Sequence, residues 1–310
     1  MCKIPVAAVV GPTASGKTAL SVELALRLNG EIISADSMQV YRHMDIATAK
    51  PAEAEKKGVP HYLMDFLEPS EEFSVARFCE LAKPLIADIH GRGRLPIIAG
   101  GTGLYVDSLL GNVSFTESDT DSALRSGLQQ ELEEKGLDAM LEQIRGFDPD
   151  SAERLSAGRN PKRILRCIEV YRATGMTQTQ LNIAQTALPS PYHAVKIGLT
   201  AANRDFLYGR INRRVDIMLE NGLLDEARAF YGAQNGATSA AAIGYKELLP
   251  YLRGELPLDE CVENLKRATR RYAKRQLTWF RRDPEIHWFE IDRMSFDEIL
   301  GSALLLLKDL

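Results

Sequence analysis

At 310 residues, with 45% hydrophobic and 26% charged side chains, the chain can bury a full core and carry an insertion, and its composition excludes a fibrous repeat or a disordered tract. No apolar run approaches the ~20 residues of a membrane span, and the N-terminal one ends in a glycine-rich loop rather than a cleavage site, so a cytoplasmic protein is expected. A net charge of −4 neither demands nor excludes nucleic acid, while four scattered cysteines (Cys2, Cys79, Cys167, Cys261) and five histidines without ligand spacing point to reduced thiols and no structural zinc.

In chain order, IPVAAVV (4–10) predicts a buried strand, and TALSVELALRLNG continues at helical spacing until Asn29 and Gly30 stop it. EIISA predicts a second strand running into Asp36, and RLPIIAGG a third that ends in the loop GGTGLY. Strands alternating with helices imply a parallel, helix-covered sheet, an α/β fold of P-loop type. From 113 to 188 strand signals give way to capped helical patterns, with Asn160–Pro161 as a start and Gly175 as a stop, which predicts an all-helical insertion. A strand returns at AVKIGLT (194–200), followed by helices from Asn203 to about Gly232 and from Leu258 to about Arg281, a late strand IHWFEI and a terminal helix. The expected domains are a core of 1–112 with 189–310 and an insertion of 113–188.

Between the first strand and its helix lies GPTASGKT, which meets the pattern G-x-x-x-x-G-K-[ST] through Gly11, Gly16, Lys17 and Thr18. Glycines let backbone N–H groups converge on phosphate oxygens, the helix N-terminus adds partial positive charge, Lys17 neutralises the terminal phosphate and Thr18 can hold Mg²⁺. A nucleotide hydrolase also needs an acid at the end of another strand, and the third strand ends IIAGGTG with none. Asp36 and Asp65 end two other runs, so a metal role stays open for either, and no NKxD motif reads guanine. The loop certifies a phosphate, in particular a diphosphate, without certifying a nucleotide.

In KRATRRYAKRQLTWFRR, Lys266, Arg270 and Lys274 fall four apart, as do Arg267, Arg271 and Arg275, and no acid interrupts the run to Arg282. Six like charges on one helical face repel, which points to an anionic partner such as a phosphate backbone, with Tyr272, Trp279 or Phe280 available to stack. In the insertion, Arg159, Lys162, Arg163, Arg166 and Arg172 face one acid, Glu169. Two such helices suit a folded RNA better than a small metabolite.

The ordered motifs GPTASGKT, ISADSMQVYRHMDIATAKP, GGTGLY, NPKRILRCIEVY, RINRRVDIMLENGLLDE, AIGYKE and AKRQLTWFRR resemble the tRNA dimethylallyltransferase family over nearly the whole chain. The resemblance implies transfer of a dimethylallyl group from dimethylallyl diphosphate to N6 of the adenine 3′ of the anticodon, position 37, with Mg²⁺ as cofactor. It implies that Gly11, Pro12, Thr13, Ala14, Ser15, Gly16, Lys17 and Thr18 hold the leaving diphosphate, that Arg214 is a second clamp, and that Asp36 takes the N6 proton. Thr102 would stand beside the donor and a base flipped out of its stack, with Ser37, Met38 and Gln39 meeting that base. The anticodon stem-loop of tRNA would be gripped by Arg125, Lys162, Arg163, Ile164, Leu165 and Arg166, by Ala241, Ala242, Ile243, Gly244, Tyr245 and Lys246, and by Lys274 and Arg275. Departures from the family pattern fall at Ala241 and Lys162, and Arg125 is matched only across a small gap. A monomer is expected, since no long apolar seam demands a dimer. The competing readings are a prenyltransferase acting on free AMP, ADP or ATP, a small-molecule kinase, and a non-catalytic RNA-binding protein.

Overall fold

Strands buried on both faces call for a parallel sheet under helices, and that is the arrangement in the computed structural model, which describes residues 3–113, 122–186, 189–233, 235–308 and 310. Two compact units divide the chain, the second being Gly111–Ser190. The first unit begins with β1 (Ile4–Val10), α1 (Lys17–Leu28), β2 (Gly30–Ser34), α2 (Glu53–Lys56), β3 (His61–Tyr62), α3 (Val75–Gly91), β4 (Leu95–Gly100) and α4 (Gly103–Leu110). The second holds α5 (Ser122–Phe147), α6 (Pro149–Gly158), α7 (Pro161–Thr174) and α8 (Gln178–Thr186). The chain returns to the first with β5 (Tyr192–Thr200), α9 (Arg204–Glu220), α10 (Leu223–Tyr231), α11 (Tyr245–Leu252), α12 (Leu258–Phe280), β6 (Ile286–Glu290) and α13 (Phe296–Leu306).

The sheet runs β3-β2-β4-β1-β5-β6, and every pairing is parallel. In the central strand β1, Val6 to Val10 are fully buried, as a continuous apolar run requires. Val10 pairs with Gly100 and Ser34 with Ala99, so β1, β4 and β2 end level. The segments after them, 11–18, 35–39 and 101–102, therefore meet at one edge of the sheet, where open α/β folds bind ligands.

Three details depart from the sequence reading. The helix expected over 203–232 breaks at Asn221 and Gly222, because Gly222 takes φ 96° and α10 starts on a new axis. β3 is a two-residue edge strand too short for any periodicity to reveal. The six-cation face of α12 is divided: Lys266 pairs with Asp216 at 2.8 Å and Arg270 donates to Asn212 at 2.6 Å, both on α9, leaving Arg267, Arg271, Lys274 and Arg275 outside.

Within the helical unit, Asn160 caps α7 by accepting from Arg163 N, and Gly175 ends it in the left-handed region at φ 70°. Leu128, Met140, Ile144, Ile164 and Ile168 form its core. Ile164 is 0% exposed, so its side chain presents no surface to RNA, which corrects its assignment as a contact. The cation cluster is also more neutralised than its sequence implied. Arg125 and Arg166 share the buried Glu169 at 2.9 Å each, Arg159 pairs with Asp138 and Arg172 with Glu131. Lys162 and Arg163 stay on the surface.

Cys79, Cys167 and Cys261 are buried free thiols, and burial pushes those of Cys79 and Cys167 up to about 11; Cys2 lies outside the described residues, as do residues 114–121 and 187–188 of the expected insertion. Among the described residues no helix is long and apolar enough to cross a membrane.

Candidate active site

The loop after β1 is held in an uncommon conformation. Gly11 and Gly16 have φ 141° and 94°, and Ala14, a residue with a Cβ, sits at φ 62°. Such a backbone persists only where its neighbours fix it. Arg210 Nε donates to Ala14 O at 2.8 Å, Arg214 Nη1 to Thr13 Oγ1 at 3.1 Å, and the Gln276 side chain accepts the Thr13 N–H at 2.8 Å. Lys17 Nζ reaches back to Pro12 O at 2.7 Å. Ser15 Oγ is buried and has no partner among the described residues, a hydroxyl left over for a ligand.

Thr13, Lys17, Thr18, Asp36 and Arg214 line one cavity of about 260 Å³. Ser37, Met38, Gln39, Ala241, Ala242, Ile243, Gly244, Lys246 and Arg275 line it as well, so segments far apart in sequence converge there. Ile32, Met64, Ile211, Val215, Met218, Leu223 and Leu265 give the cavity an apolar wall, alongside polar liners such as Ser21, Ser34, His61 and Thr269. The cavity thus combines a cationic phosphate cradle, an apolar wall and a carboxylate, the mixture expected of a site for a charged ligand with a hydrocarbon part.

Electrostatics sharpen the picture. Burial, reinforced by Arg214 and opposed by Asp36, holds the Lys17 amine down to about 7. Burial also lowers the Arg214 guanidinium, against the pull of Asp36 and Glu55. Lys17, Arg214, Lys246 and Arg275 line the cavity beside one carboxylate, Asp36, a field that favours an anion.

Asp36 accepts from Met38 N at 2.9 Å and Gln39 N at 3.4 Å, both through Oδ1. It therefore closes the turn after β2 while also facing the cavity. Thr102 is outside the cavity lining, but its Oγ1 accepts from Ser37 N at 3.1 Å and so joins the β4 loop to the Asp36 turn. Gln39 turns inward: its amide donates to Thr48 O and Ala49 O and accepts from Ser34 Oγ, so it braces the cavity wall. Tyr245, assigned to RNA, is 0% exposed and donates to Glu226, because the α11 start packs into the core. That Glu226 also accepts the N–H groups of Asp45, Ile46 and Ala47, fixing the loop whose Ala47 and Thr48 wall the cavity. Asp65, one candidate metal ligand, is bound to Lys50 at 2.7 Å and lies outside the cavity lining, which removes it from that role. Phe280 is 1% exposed and unavailable for stacking, and Trp279 donates to Asp107 at 2.7 Å with Arg282 4.2 Å over its ring.

Sequence reasoning missed Gln276 and gave Tyr272 only as a ring available to stack on RNA. Both line the cavity, and burial raises the Tyr272 phenol so that it stays a neutral donor near Asp36. Their signal was present as the stripe Leu265, Thr269, Tyr272 and Gln276, spaced four, three and four along α12, on the side opposite Arg267, Arg271 and Lys274, with Arg275 at its border 5.6 Å over the Tyr272 ring.

The family model described as IPP transferase matches residues 39–283, and that described as Isopentenyl transferase matches residues 4–66. A tRNA dimethylallyltransferase from Acetivibrio thermocellus is 49% identical over 292 residues, covering 94% of this chain and 93% of its own. One from Halalkalibacterium halodurans is also 49% identical over 292 residues, covering 94% and 92%. Among solved structures, the tRNA isopentenylpyrophosphate transferase of Bacillus halodurans superposes with TM-score 0.73 at 46% identity, covering 99% of this chain and 98% of that one. A eukaryotic dimethylallyltransferase acting on tRNA gives TM-score 0.83 at 30% identity, covering 98% of this chain and 79% of that one.

Proposed function

The chain belongs to the tRNA dimethylallyltransferase family, and from that premise we propose that it transfers the dimethylallyl group of dimethylallyl diphosphate to N6 of adenine 37, 3′ of the anticodon in tRNA, releasing diphosphate. The observation that carries the reading is the cavity in which Lys17, Arg214 and Asp36 share their space with an apolar wall. A nucleoside triphosphate would use the cradle but leave that wall without a partner; a prenyl diphosphate uses both.

As the allylic C1–O bond breaks, its electron pair leaves with the diphosphate while N6 bonds to C1. Lys17 and Arg214 then face negative charge that grows toward the transition state, where fixed donors act most strongly. Adenine N6 is a weak nucleophile that must lose a proton, and Asp36 takes it, a contribution of about 10²–10⁴ in rate. Thr102 and Ser37, bonded to each other at the edge of the Asp36 turn, orient that carboxylate and the incoming base. The apolar wall holds the prenyl tail and excludes water from the allylic carbon.

Mg²⁺ fits the donor set. Among the described residues no cluster of three or more His, Cys, Asp or Glu side chains forms a cage, whereas Thr18 offers a hydroxyl at the cavity, as suits an ion bound largely through phosphate oxygens and water. Thr18 would hold the ion there, and the ion would supply charge neutralisation on the diphosphate.

The adenine must leave its stack to enter the cavity. Exposed Arg267, Arg271, Lys274 and Arg275 on α12 and Lys162 and Arg163 on α7 supply cations for the tRNA backbone. The enzyme works as a cytoplasmic monomer in this reading. Incubating the protein with Mg²⁺ and radiolabelled dimethylallyl diphosphate should label unmodified tRNA bearing A37 and leave AMP unlabelled. Label on AMP alone, or phosphate transfer from ATP, would refute the assignment.

A further inference from the structure

The sequence KRQLTWFRR invites the view that each polar residue in it meets RNA, yet Gln276 faces the opposite way. It is 5% exposed, and both ends of its amide are engaged: Oε1 accepts the Thr13 N–H at 2.8 Å and Nε2 donates to Gly101 O at 3.0 Å. Gly101 is a glycine for this reason, since a Cβ there would stand 2.1 Å from Gln276 Nε2. One side chain on α12 thus bolts the loop after β1 to the loop after β4.

From this geometry we infer that Gln276 is a positioning residue for the diphosphate cradle. Thr13 precedes Ala14, whose φ of 62° must be imposed by its surroundings. Arg214 holds the Thr13 side chain and Gln276 its backbone, so the two fix the turn from which the later amides of the loop point at phosphate oxygens. The Thr13 N–H itself is committed to Gln276. Removing the amide strands the part-buried Thr13 N–H and the buried Gly101 C=O, and the cradle relaxes to find them partners. The exposed neighbours Lys274 and Arg275 keep their surface positions, so tRNA binding is spared.

The inference rests on the cradle being a diphosphate site, and the test separates the two. Wild type, Gln276→Met, Gln276→Glu and Gly101→Ala are compared for Mg²⁺–diphosphate affinity by calorimetry, for tRNA affinity, for thermal midpoint and, by labelling, for kcat/KM toward dimethylallyl diphosphate. Gln276→Met should lose about 10- to 100-fold in diphosphate affinity and in donor kcat/KM while tRNA affinity changes less than about twofold. Gly101→Ala, which displaces the Gln276 amide without deleting it, should reproduce that split. Gln276→Glu keeps an acceptor for Thr13 but turns an oxygen on Gly101 O, so its deficit should shrink toward wild type as pH falls from about 8 to about 6 and the carboxyl regains a proton to donate. Diphosphate affinity within about twofold of wild type in Gln276→Met and Gly101→Ala, or tRNA affinity falling in parallel, overturns the inference; a part that was only structural would lower the midpoint without this split or pH trend. A wild-type protein that binds diphosphate but labels no tRNA would instead sink the proposed function and leave the calorimetric comparison intact.

Discussion

A lysine amine pushed down to about 7 should recruit a proton when a diphosphate arrives. At about pH 8 such an amine is roughly nine-tenths neutral in the ligand-free protein, and a diphosphate against it restores the charged form. Binding should therefore take up about 0.9 proton through Lys17 at about pH 8, about 0.5 at about pH 7 and about 0.1 at about pH 6, and affinity should fall toward tenfold per pH unit above about 7. Calorimetric titration of Mg²⁺–diphosphate in buffers of differing ionisation enthalpy reads the uptake. Subtracting the values for Lys17→Met removes the protons that belong to the diphosphate itself. The stability of the ligand-free protein carries the opposite sign. The folded amine titrates near 7 and the unfolded one near 10.5, so the unfolded chain holds more protons between those values and stability rises with pH across that window. Equal proton uptake by wild type and Lys17→Met over the whole range would refute the reasoning.

Asp36→Asn preserves an oxygen for the Met38 and Gln39 N–H groups, so tRNA binding should survive while turnover drops about 10²–10⁴-fold in single-turnover labelling; unchanged turnover removes Asp36 from proton transfer. Arg214→Gln should lower donor kcat/KM about 10²–10³-fold, with the loss carried by kcat if the clamp acts on developing charge. Replacing Lys274 and Arg275 together by Ala should reduce the slope of log affinity for tRNA against log salt by about 1.5, whereas Lys266→Ala, already paired with Asp216, should leave the slope unchanged and lower the thermal midpoint. Gly103→Ala would put a Cβ 2.1 Å from Trp279 Cδ1 and force it off Asp107, a cost of about 1–3 kcal/mol visible in thermal or denaturant unfolding.

The phosphate loop was legible because its chemistry demands contiguous residues: glycines, a lysine and a hydroxyl must follow a strand and open a helix, and all fall within 11–18. Asp36 and Thr102 were legible from their positions at strand ends, with their roles supplied by family resemblance. What stayed hidden was pairing across the chain. Nothing local to Lys266 announces Asp216, and nothing around Arg172 announces Glu131, so runs of cations looked freer than they are. Gln276 was masked by the louder charges beside it, and Tyr272 was noticed only as a ring for RNA, though their four-three-four spacing with Leu265 and Thr269 marked a second face. The break at Asn221–Gly222 was signalled by the Asn-Gly pair itself and was overridden by apolar periodicity on either side.

The long reach of the cradle's supports has a consequence for how the protein is made. Thr13 waits for Arg214, 201 residues later, and for Gln276, 263 residues later. At about 5–20 residues per second, those partners leave the ribosome roughly 10–50 s after the loop they restrain. A nascent chain therefore displays the phosphate motif long before it can hold the shape that motif requires, and the loop is braced only once both distant partners have emerged.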